Sequence, residues 1–344
     1  MNSRTKVFVA MSGGVDSSVT AALLKNAGHP VVGVHMICWD ECEQKEERRD
    51  ALRVASKLDI PFLTFDFREQ YKAQVFQYMI REYAQGRTPN PDVMCNREIK
   101  FGVFLDQALS YGADYIATGH YAKLEYDNRE PHLLEAIDKG KDQSYFLWTL
   151  NQRQLKHCLF PLGDTTKAQV REMARQMDLP TAEKKDSQGL CFVGKVDFGF
   201  FLRGFLPRKE GDIVTSKKVV VGRHDGVAFY TIGQRHGLGI GGGVPYYVAE
   251  RDLTTNTLVV GEGPEDPILY KKEILVGSLH WLADFYEGLH QVRIRYRQPK
   301  IPALVTKEND RLRVLFADPQ RGVASGQSAV FYDEEKVLGG GTIL

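Results

Sequence analysis

The sequence predicts an α/β protein with three parts: an N-terminal doubly wound parallel sheet, a small mostly-β domain and a C-terminal β-barrel. In the first third, short apolar runs alternate with amphipathic helical patterns, which is typical of a parallel sheet covered by helices on both faces. After about residue 205, glycine and β-branched residues dominate, and from about residue 274 short alternating strands follow at regular spacing. The predicted domains therefore span residues 1–205, 206–273 and 274–344.

The elements of the N-terminal part follow from this alternation. Strands are expected at residues 5–10, 31–37, 62–66 and 113–117. Helices are expected at residues 15–27, 46–58, 69–84, 97–110, 151–157 and 167–177. Thr165 or Thr166 is a suitable N-cap for the last of these helices, because either hydroxyl can accept from a free amide of the first turn.

The later elements are read as short strands. Apolar runs occur at residues 213–214, 219–221, 229–232, 246–248 and 258–260. The segment from Gln291 to Tyr296 alternates, which predicts arginines on one face of a strand and apolar residues on the other. Further strands are expected at residues 312–316, 328–332 and 336–340.

Composition limits the class of protein. The 344 residues are 43% hydrophobic and 26% charged, and no uninterrupted apolar run approaches the length of a membrane span. The N-terminus lacks a signal-peptide pattern, so a cytoplasmic protein without a membrane partner is expected. Five widely spread cysteines argue against a disulfide framework, and a net charge of +1 leaves nucleic-acid binding to local patches.

The strongest motif is the loop from Ser12 to Ser18, between the first strand and the first helix. Its glycines permit a tight turn, and its hydroxyls and helix N-terminal amides suit phosphate oxygens. Asp16 is placed to hold a magnesium ion shared with those phosphates. The loop has no Walker lysine and resembles the pyrophosphatase loop of enzymes that split ATP into AMP and pyrophosphate. The alternative is an ordinary glycine-rich helix N-cap.

Two other glycine patterns fail as nucleotide sites. The run from Gly189 to Lys195 matches part of a Walker motif, but Val196 stands where a magnesium-binding hydroxyl is required. The run from Gly237 to Gly242 has a dinucleotide-type spacing, but a strand-like run follows it instead of a helix. Both are interpreted as loop glycines.

Two cysteines lie in polar segments and are candidate reactive thiols. Cys95 follows the proline-rich run from Thr88 to Pro91, where a helix is expected to begin, and a helix N-terminus lowers a thiol pKa. Cys191 follows Lys184, Lys185 and Gly189, which suits an accessible thiolate. For each cysteine alone, the alternative is a small buried hydrophobic residue.

The remaining cysteines are interpreted as structural. Cys38 and Cys42 are four residues apart and close to His35, but no second pair completes a tetrahedral zinc site. Cys158 follows a helical stripe and is expected in the core. No metal site built from protein ligands alone is predicted.

Taken together, these motifs resemble those of the tRNA-specific 2-thiouridylases. The family's order of motifs is matched by the loop 12–18, 90–92 with Cys95-Asn96, 119–122, 141–145, 186–189 with Cys191-Phe192, 230–234 and 295–297. The loop alone occurs in several ligases and amidotransferases, whereas its combination with the two cysteines is specific. The resemblance covers nearly the whole chain and implies a catalytic adenylating domain, a small central domain and a C-terminal barrel.

The resemblance also implies roles for individual residues. The ATP contacts would be Ala10, Met11, Ser12, Gly13, Gly14, Val15, Asp16, Ser17, Met36 and Gly119. The target base would meet Asn90, Pro91 and Asp92. The tRNA contacts would be His120, Lys141, Asp142, Gln143, Arg295, Tyr296 and Gln327. Cys95 would be the nucleophile and Cys191 the persulfide carrier, while Asp92 could act as a base, orient Cys95 or hold the base edge.

The implied reaction replaces the C2 oxygen of a tRNA wobble uridine with sulfur, consuming ATP with magnesium and sulfur from a persulfide-donor protein. The C2 oxygen would first become an adenylate, and a transient disulfide between Cys95 and Cys191 would form as sulfur is released to the base. The basic C-terminal strands, with Arg293 to Lys300 and Arg311, Arg313 and Arg321, would contact folded RNA. The rivals are an adenylating ligase that uses no sulfur and a noncatalytic RNA-binding or sulfur-carrier module.

Overall fold

The computed structural model describes residues 5–39, 43–186, 198–241 and 243–344. The N-terminal sheet has five parallel strands in the order β3-β2-β1-β4-β7, which confirms the predicted parallel sheet. These strands are β1 (Val7–Ala10), β2 (Val31–Ile37), β3 (Phe62–Asp66), β4 (Tyr115–Ala117) and β7 (Cys158–Leu159). The order reverses between β1 and β4, so the crevice at the carboxyl ends of these two strands is the expected ligand site.

Helices cover this sheet, and the predicted periodic segments are all at least partly helical. They are α1 (Val15–Asn26), α2 (Glu43–Lys57), α3 (Arg68–Tyr71), α4 (Gln77–Ala84), α5 (Pro91–Met94), α6 (Phe104–Ser110), α7 (Gln152–Leu155), α8 (Lys167–Gln176) and α9 (Phe198–Leu202). Two π-helical segments, Lys72–Phe76 and Cys95–Val103, join α3 to α4 and α5 to α6. Thr166 is the N-cap of α8, where it forms a capping box with Gln169.

The central sheet has the order β10-β11-β8-β9, with a parallel β11–β8 pair between antiparallel ones. Its strands are β8 (Gly211–Thr215), β9 (Val220–His224), β10 (Tyr246–Asp252) and β11 (Thr257–Glu262). The apolar run at residues 229–232 is not a strand, because a 3₁₀ turn (Val227–Phe229) overlaps its start, and Phe229 in that turn and Tyr230 after it pack into the core.

The C-terminal part is a closed antiparallel barrel of six strands, as predicted, since β12 pairs with both β15 and β17. The strands are β12 (Tyr270–Trp281), β13 (Gly288–Arg293), β14 (Ile301–Glu308), β15 (Arg311–Arg321), β16 (Ser328–Asp333) and β17 (Lys336–Ile343). The boundary predicted at residues 273 and 274 falls inside β12.

A hairpin of the N-terminal part extends the barrel sheet. Strands β5 (Ala122–Asp127) and β6 (Glu130–Glu135) follow β4, and β6 pairs with β17 where Lys336 lies opposite Leu134. This hairpin was not predicted. It places the loop after β6, residues 136–144, against the barrel.

Val292 and Ile294 lie on the apolar face of this segment as predicted, but the RNA contact expected of the barrel arginines is wrong for Arg293. Only 6% of its surface is exposed, because its guanidinium reaches Glu135 and Asp142 of the catalytic part, each at 2.6 Å. A strand face that covers a neighbouring domain can bury an arginine when carboxylates satisfy it. No helix in the described ranges has the length and apolar character needed to cross a membrane.

Candidate active site

The loop between β1 and α1 lies at the point where the strand order reverses. Gly13 has φ +77°, and a Cβ there would collide with the backbone oxygen of Glu47, so the turn requires glycine. The hydroxyls of Ser17 and Ser18 donate to the Gly14 carbonyl at 3.1 and 2.8 Å. Gly14 is the N-cap, and within the described chain no side chain caps the α1 amides. These amides are therefore available to a phosphate, which favours a nucleotide loop over an ordinary capped helix start.

Gly119, two residues after β4, packs closely against the N-terminus of α1. A Cβ on Gly119 would lie 2.8 Å from the Ser17 nitrogen and 3.0 Å from Asp16. The predicted ATP residues Ala10, Met11, Val15 and Met36 are buried around this crevice. The structure thus brings the predicted ATP residues of β1, β2, α1 and the β4 end into one region.

A chain of ion pairs starts at Asp16. Its carboxylate accepts from the Lys167 ammonium at 2.6 and 2.7 Å and from the Tyr121 hydroxyl at 2.8 Å. Lys167 also reaches Asp186 at 2.9 Å. Asp186 in turn binds Lys141 at 2.7 Å and Arg171 at 2.6 Å. We call these five charged residues, Asp16, Lys141, Lys167, Arg171 and Asp186, the nucleotide-end cluster.

The cluster shifts the pKa of one member, Asp186, and of one neighbouring side chain, Tyr121. Partial burial acts to raise the pKa of Asp186, but the hydrogen bonds from Lys141 and Lys167 outweigh it and lower that pKa to about 2. Burial, with the nearby Asp16 charge, raises the pKa of Tyr121, so its hydroxyl stays protonated and donates to Asp16. Asp16 is therefore already paired with a lysine at the position predicted for a magnesium ligand.

Cys95 lies deeper than predicted. The helix begins at Pro91 with Asn90 as its N-cap, whose side chain accepts from the Val93 amide at 3.4 Å. Cys95 is therefore one turn inside the helix, at the start of the π-helical segment, and its exposed fraction is 0%. The expectation of a thiol at the helix N-terminus is wrong in this respect, and the helix dipole acts mainly within the first turn.

A cavity of about 410 Å³ lies on one side of this helix. Asn90, Val93 and Met94 line it together with Trp148 and Ser328, while Asp92 and Cys95 are not among the described residues that line it. The structure therefore brings Asn90 to a cavity beside the barrel, and Asp92 and Cys95 share the helix without sharing that cavity.

The loop before this helix is held by the two other domains. The Thr88 amide donates to the Ser325 carbonyl at 2.7 Å, and the Gln327 side chain donates to the Thr88 and Pro89 carbonyls at 2.9 and 3.0 Å. Arg251 of the central sheet donates to the Thr88 hydroxyl at 2.8 Å. Gln327 thus holds the backbone that leads to Asn90. Its amide nitrogen is bonded within the protein, whereas the sequence led us to expect it to contact tRNA.

The other predicted tRNA residues differ in accessibility. His120 is buried, bonds Thr118 at 2.7 Å and packs on Phe101 and Phe160. Burial, with the nearby Lys100 charge, holds the pKa of His120 well below its usual range, so the ring is neutral. Contact of this ring with tRNA requires the side chain to leave its present packing.

The segment from Lys141 to Gln143 connects the nucleotide-end cluster, through Lys141, to the barrel, through Asp142. Asp142 is buried, accepts from the Ala136 amide at 3.0 Å and from the Ser144 hydroxyl at 2.9 Å, and pairs with Arg293. Gln143 accepts from the Tyr121 amide at 3.1 Å. Lys141 pairs with Asp186, so this segment is satisfied by contacts within the protein.

Arg295 and Tyr296 lie where the barrel meets the other two domains. Arg295 donates to the Gly322 carbonyl, and the Tyr296 ring lies 4.5 Å from that of Phe146. Arg295 is exposed, and Tyr296 is half-exposed like the third predicted tRNA residue of the barrel, Gln327.

The predictions for the other cysteines and for the two glycine patterns have different outcomes. Cys158 and Cys38 are buried core residues, as expected. Cys191, Cys42 and the Gly189–Lys195 run lie outside the described residues, as does Gly242 of the second glycine pattern. In the described part of the chain, no group of three or more His, Cys, Asp or Glu side chains could hold a metal ion.

Curated relatives match this chain almost from end to end. The tRNA-specific 2-thiouridylase MnmA of Bacillus velezensis is 48% identical over 98% of this chain and 95% of its own. Enzymes of the same name from Enterococcus faecalis and Bacillus subtilis are 48% and 46% identical, over 99% and 98% of this chain and 96% and 95% of their own. This chain belongs to the tRNA-specific 2-thiouridylase family.

Three family models divide the 2-thiouridylase chain in the same order as its domains. A tRNA methyl transferase HUP domain matches residues 5–195, a tRNA methyl transferase PRC-barrel domain residues 199–262, and an aminomethyltransferase β-barrel domain residues 271–343. A solved 4-thiouridine synthetase–RNA complex aligns with 55% of this chain and 45% of its own, at 19% identity and a TM-score of 0.38.

Sequence reasoning missed three residues that organise this 2-thiouridylase site. Lys167 and Arg171 are four apart on α8, where a helix brings both cations to one face toward Asp186. The Thr166 capping box was the available signal, because it fixes Lys167 at the first helical position. Arg251 carried no comparable signal, since its partner Thr88 is 163 residues away.

Proposed function

We propose that this protein is an ATP-dependent sulfurtransferase that converts the wobble uridine of tRNA to 2-thiouridine. The observation that most supports this proposal is the nucleotide-end cluster, in which Lys167 forms ion pairs with both Asp16 of the predicted ATP loop and Asp186. Asp186 precedes Cys191 by five residues in the chain. The ATP loop and the segment leading to the second candidate thiol are thus tied to one lysine. The names of the relatives, at up to 48% identity, give the substrate class.

In the first proposed step, the C2 oxygen of the uracil attacks the α-phosphorus of ATP and pyrophosphate leaves. The uncapped α1 amides and the serine hydroxyls hold phosphate oxygens, and Lys167 exchanges Asp16 for the negative charge of the triphosphate. The product is an adenylate ester at C2, from which AMP can depart.

The ATP is proposed to arrive with Mg²⁺, which would neutralise part of the phosphate charge. The available donors fit this ion, because Asp16 offers a carboxylate and Ser12 and Ser17 offer hydroxyl oxygens, the hard ligands that Mg²⁺ prefers. The carboxylate of Asp16 is 32% exposed, so it can turn from Lys167 to a ligand.

In the second proposed step, Cys191 carries a persulfide received from a sulfur-donor protein. The outer sulfur bonds to C2, AMP leaves with the C2 oxygen, and the Cys95 thiolate attacks the inner sulfur. A Cys95–Cys191 disulfide forms, and a thiol reductant restores both thiols before the next turnover. Since Cys95 is fully buried here, this step requires the α5 region to open when tRNA is bound.

The remaining predicted residues divide into three proposed roles. Asn90, Pro91 and Asp92 meet the target base, and Arg295, Tyr296 and Lys141 meet the tRNA. Asp142, Gln143, His120 and Gln327 act by positioning, because their polar groups bond to other parts of the protein. The proposed domain limits are residues 1–205, 206–273 and 274–344 with the last limit moved to Tyr270, so that β12 stays whole within the barrel.

The test is direct. Purified protein is incubated with unmodified tRNA, ATP, Mg²⁺ and a sulfide or persulfide donor, and digested nucleosides are analysed by mass spectrometry. We expect ATP-dependent 2-thiouridine that is lost with Cys95→Ser and, when a persulfide donor is used, with Cys191→Ser.

Cys158→Ala is the matched control, since this thiol is equally buried but lies on β7, where burial raises its pKa. It should retain thiolation. Pyrophosphate release without any thiolated nucleoside in wild type would instead support an adenylating ligase that uses no sulfur.

A further inference from the structure

A side chain of β2 makes the last hydrogen bond between β1 and β2. The ladder of the two strands ends at the pair Ala10 and Val34, after which the Met11 amide donates to the Val34 carbonyl at 2.7 Å. The Met11 carbonyl then accepts from Nδ1 of His35 at 3.0 Å. Met11 directly precedes Ser12, so this bond lies where the chain leaves the sheet to form the predicted ATP loop.

In a parallel ladder, the next donor to the Met11 carbonyl would be the amide of Met36. The Val34 carbonyl bonds to the chain of β1, whereas the Gly33 amide bonds to the chain just before β3. Backbone groups alternate between the two neighbouring strands, so Met36, two residues after Val34, faces β1. Within the described chain, no backbone bond joins the Met36 amide to the Met11 carbonyl. His35 therefore takes the place of this ladder bond, and the Met36 amide faces the space beyond the end of β1.

The imidazole of His35 is a neutral donor in one defined tautomer. A carbonyl oxygen can only accept, so Nδ1 carries the hydrogen and Nε2 has the lone pair. Nε2 is buried and has no hydrogen-bond partner among the described residues. Burial lowers the pKa of His35, the bond to Met11 opposes this effect, and the nearby Arg48 charge lowers the pKa further. The ring is therefore uncharged near neutral pH, and its Nδ1 hydrogen is directed at the start of the ATP loop.

The loop that this bond holds has little freedom to shift. Only 3% of His35 is exposed, so packing fixes the orientation of its ring. Gly13, two residues after Met11, packs so closely on the Glu47 backbone of α2 that a Cβ would not fit. A displacement of the Met11 carbonyl would therefore also displace Gly13 and the α1 amides that follow it.

We propose that His35 is a positioning residue for ATP, whose imidazole replaces the last ladder bond between β1 and β2, fixes the start of the ATP loop and leaves the Met36 amide to donate to the nucleotide. This inference rests on the ATP-using part of the proposed function. A side-chain donor lets β1 leave the sheet without an unpaired carbonyl at its end. The amide of Met36, a predicted ATP residue, is a donor that fits an acceptor nitrogen of the adenine ring.

The experiment compares two amide side chains at position 35. In His35→Asn the amide nitrogen can take the place of Nδ1 and donate to Met11, whereas in His35→Gln it reaches the place of Nε2. Calorimetry gives the Kd for ATP with Mg²⁺, and thiolation at saturating ATP gives kcat. We expect His35→Gln to raise the Kd about tenfold, the effect of one lost hydrogen bond, with kcat within about twofold of wild type. His35→Asn should keep the Kd within about twofold of wild type.

His29→Gln is the matched control, because His29 makes the same kind of bond at the opposite end of β1, from Nδ1 to the Thr5 carbonyl at 3.2 Å. Its Kd for ATP should equal that of wild type. A wild-type Kd in His35→Gln, or equal weakening in both amide variants, would overturn the inference, since the Nδ1 donor would then not be what positions the loop.

The outcomes also distinguish this inference from the proposed function. If wild type binds ATP, His35→Gln binds it about tenfold more weakly and no tRNA is thiolated, the role of His35 stands and the sulfur transfer fails. If all variants thiolate tRNA with a wild-type Kd for ATP, the proposed function stands and the role of His35 is wrong. If wild type binds no ATP, both are wrong.

Discussion

Two clusters of ion pairs in this molecule differ in how they meet solvent. In the first, at the junction of the hairpin and the barrel, the side chains of Glu135, Asp142 and Arg293 are 0%, 0% and 8% exposed. In the nucleotide-end cluster, Asp16, Lys167 and Asp186 are 32%, 13% and 31% exposed. Both use carboxylates and cations at 2.6 to 2.9 Å, so exposure is what separates them.

This difference in exposure shows how ion pairs of similar length can have different roles. A buried cluster cannot replace a lost partner with water, so it fixes the domains in one arrangement. A partly exposed cluster can exchange a protein partner for a charged ligand at smaller cost. The first cluster therefore stabilises the junction, and the second is suited to bind phosphates.

The largest expected effect is on stability, from Arg293→Met. The change leaves the buried Asp142 carboxylate without a cation, while Glu135 keeps Lys300 at 2.7 Å. The free energy of unfolding should fall by about 3 kcal/mol, the cost of a buried charge that loses its partner. Urea denaturation measures it.

The control for this change is Arg313→Met, which removes an exposed pair with Glu273. Its free energy of unfolding should stay close to that of wild type, because solvent screens an exposed ion pair. Equal losses in the two variants would show that burial does not distinguish the clusters.

The next effect is on catalysis, from Lys167→Met. Thiolation measured as kcat/KM should fall about 100-fold or more, because a preorganised cation at the departing pyrophosphate is lost. Stability should change by less than about 1 kcal/mol, since the cluster is partly solvated. Lys57→Met, which breaks an exposed pair with Asp178, is the control and should leave kcat/KM unchanged. A large loss of stability with normal activity would assign Lys167 to the structure alone.

The smallest effect is a pH dependence of stability from Asp186, whose pKa is lowered to about 2 in the folded protein. The carboxylate is then charged and paired in the fold down to a lower pH than in the unfolded chain. Its stabilising contribution is complete above the unfolded pKa of about 3.9 and is lost as pH falls toward 2. The stability gap between wild type and Asp186→Asn should narrow as the pH falls from about 4 toward 2. A gap that widens on acidification would reverse the sign assigned here.

The sequence was sufficient for features that depend on local pattern. The parallel sheet followed from alternating strands and helices, and the ATP loop followed from glycines and hydroxyls directly after β1. The barrel followed from regularly spaced strands. In each case the residues that form the feature are close together in the sequence, so a local pattern was enough to predict it.

Features that depend on distant partners were missed or misplaced. Arg293 was expected to contact RNA with the other barrel arginines, because alternation cannot show that Glu135 at the end of a distant hairpin pairs with that face. The depth of Cys95 depended on the helix starting at Pro91, several residues before the apolar periodicity begins. Gln327 was expected to face tRNA, and its bonds to Thr88 and Pro89 could be seen only once the barrel and loop were folded together.

The burial of Cys95 has a consequence for the lifetime of the enzyme in an oxidising cell. A thiol with no exposed surface does not meet dissolved peroxide or electrophiles while its helix stays closed. Irreversible oxidation to sulfinic or sulfonic acid is thereby confined to the moments when the helix opens. In the proposed mechanism, Cys95 would be uncovered only in the presence of substrate and would be spared damage during the idle part of each cycle.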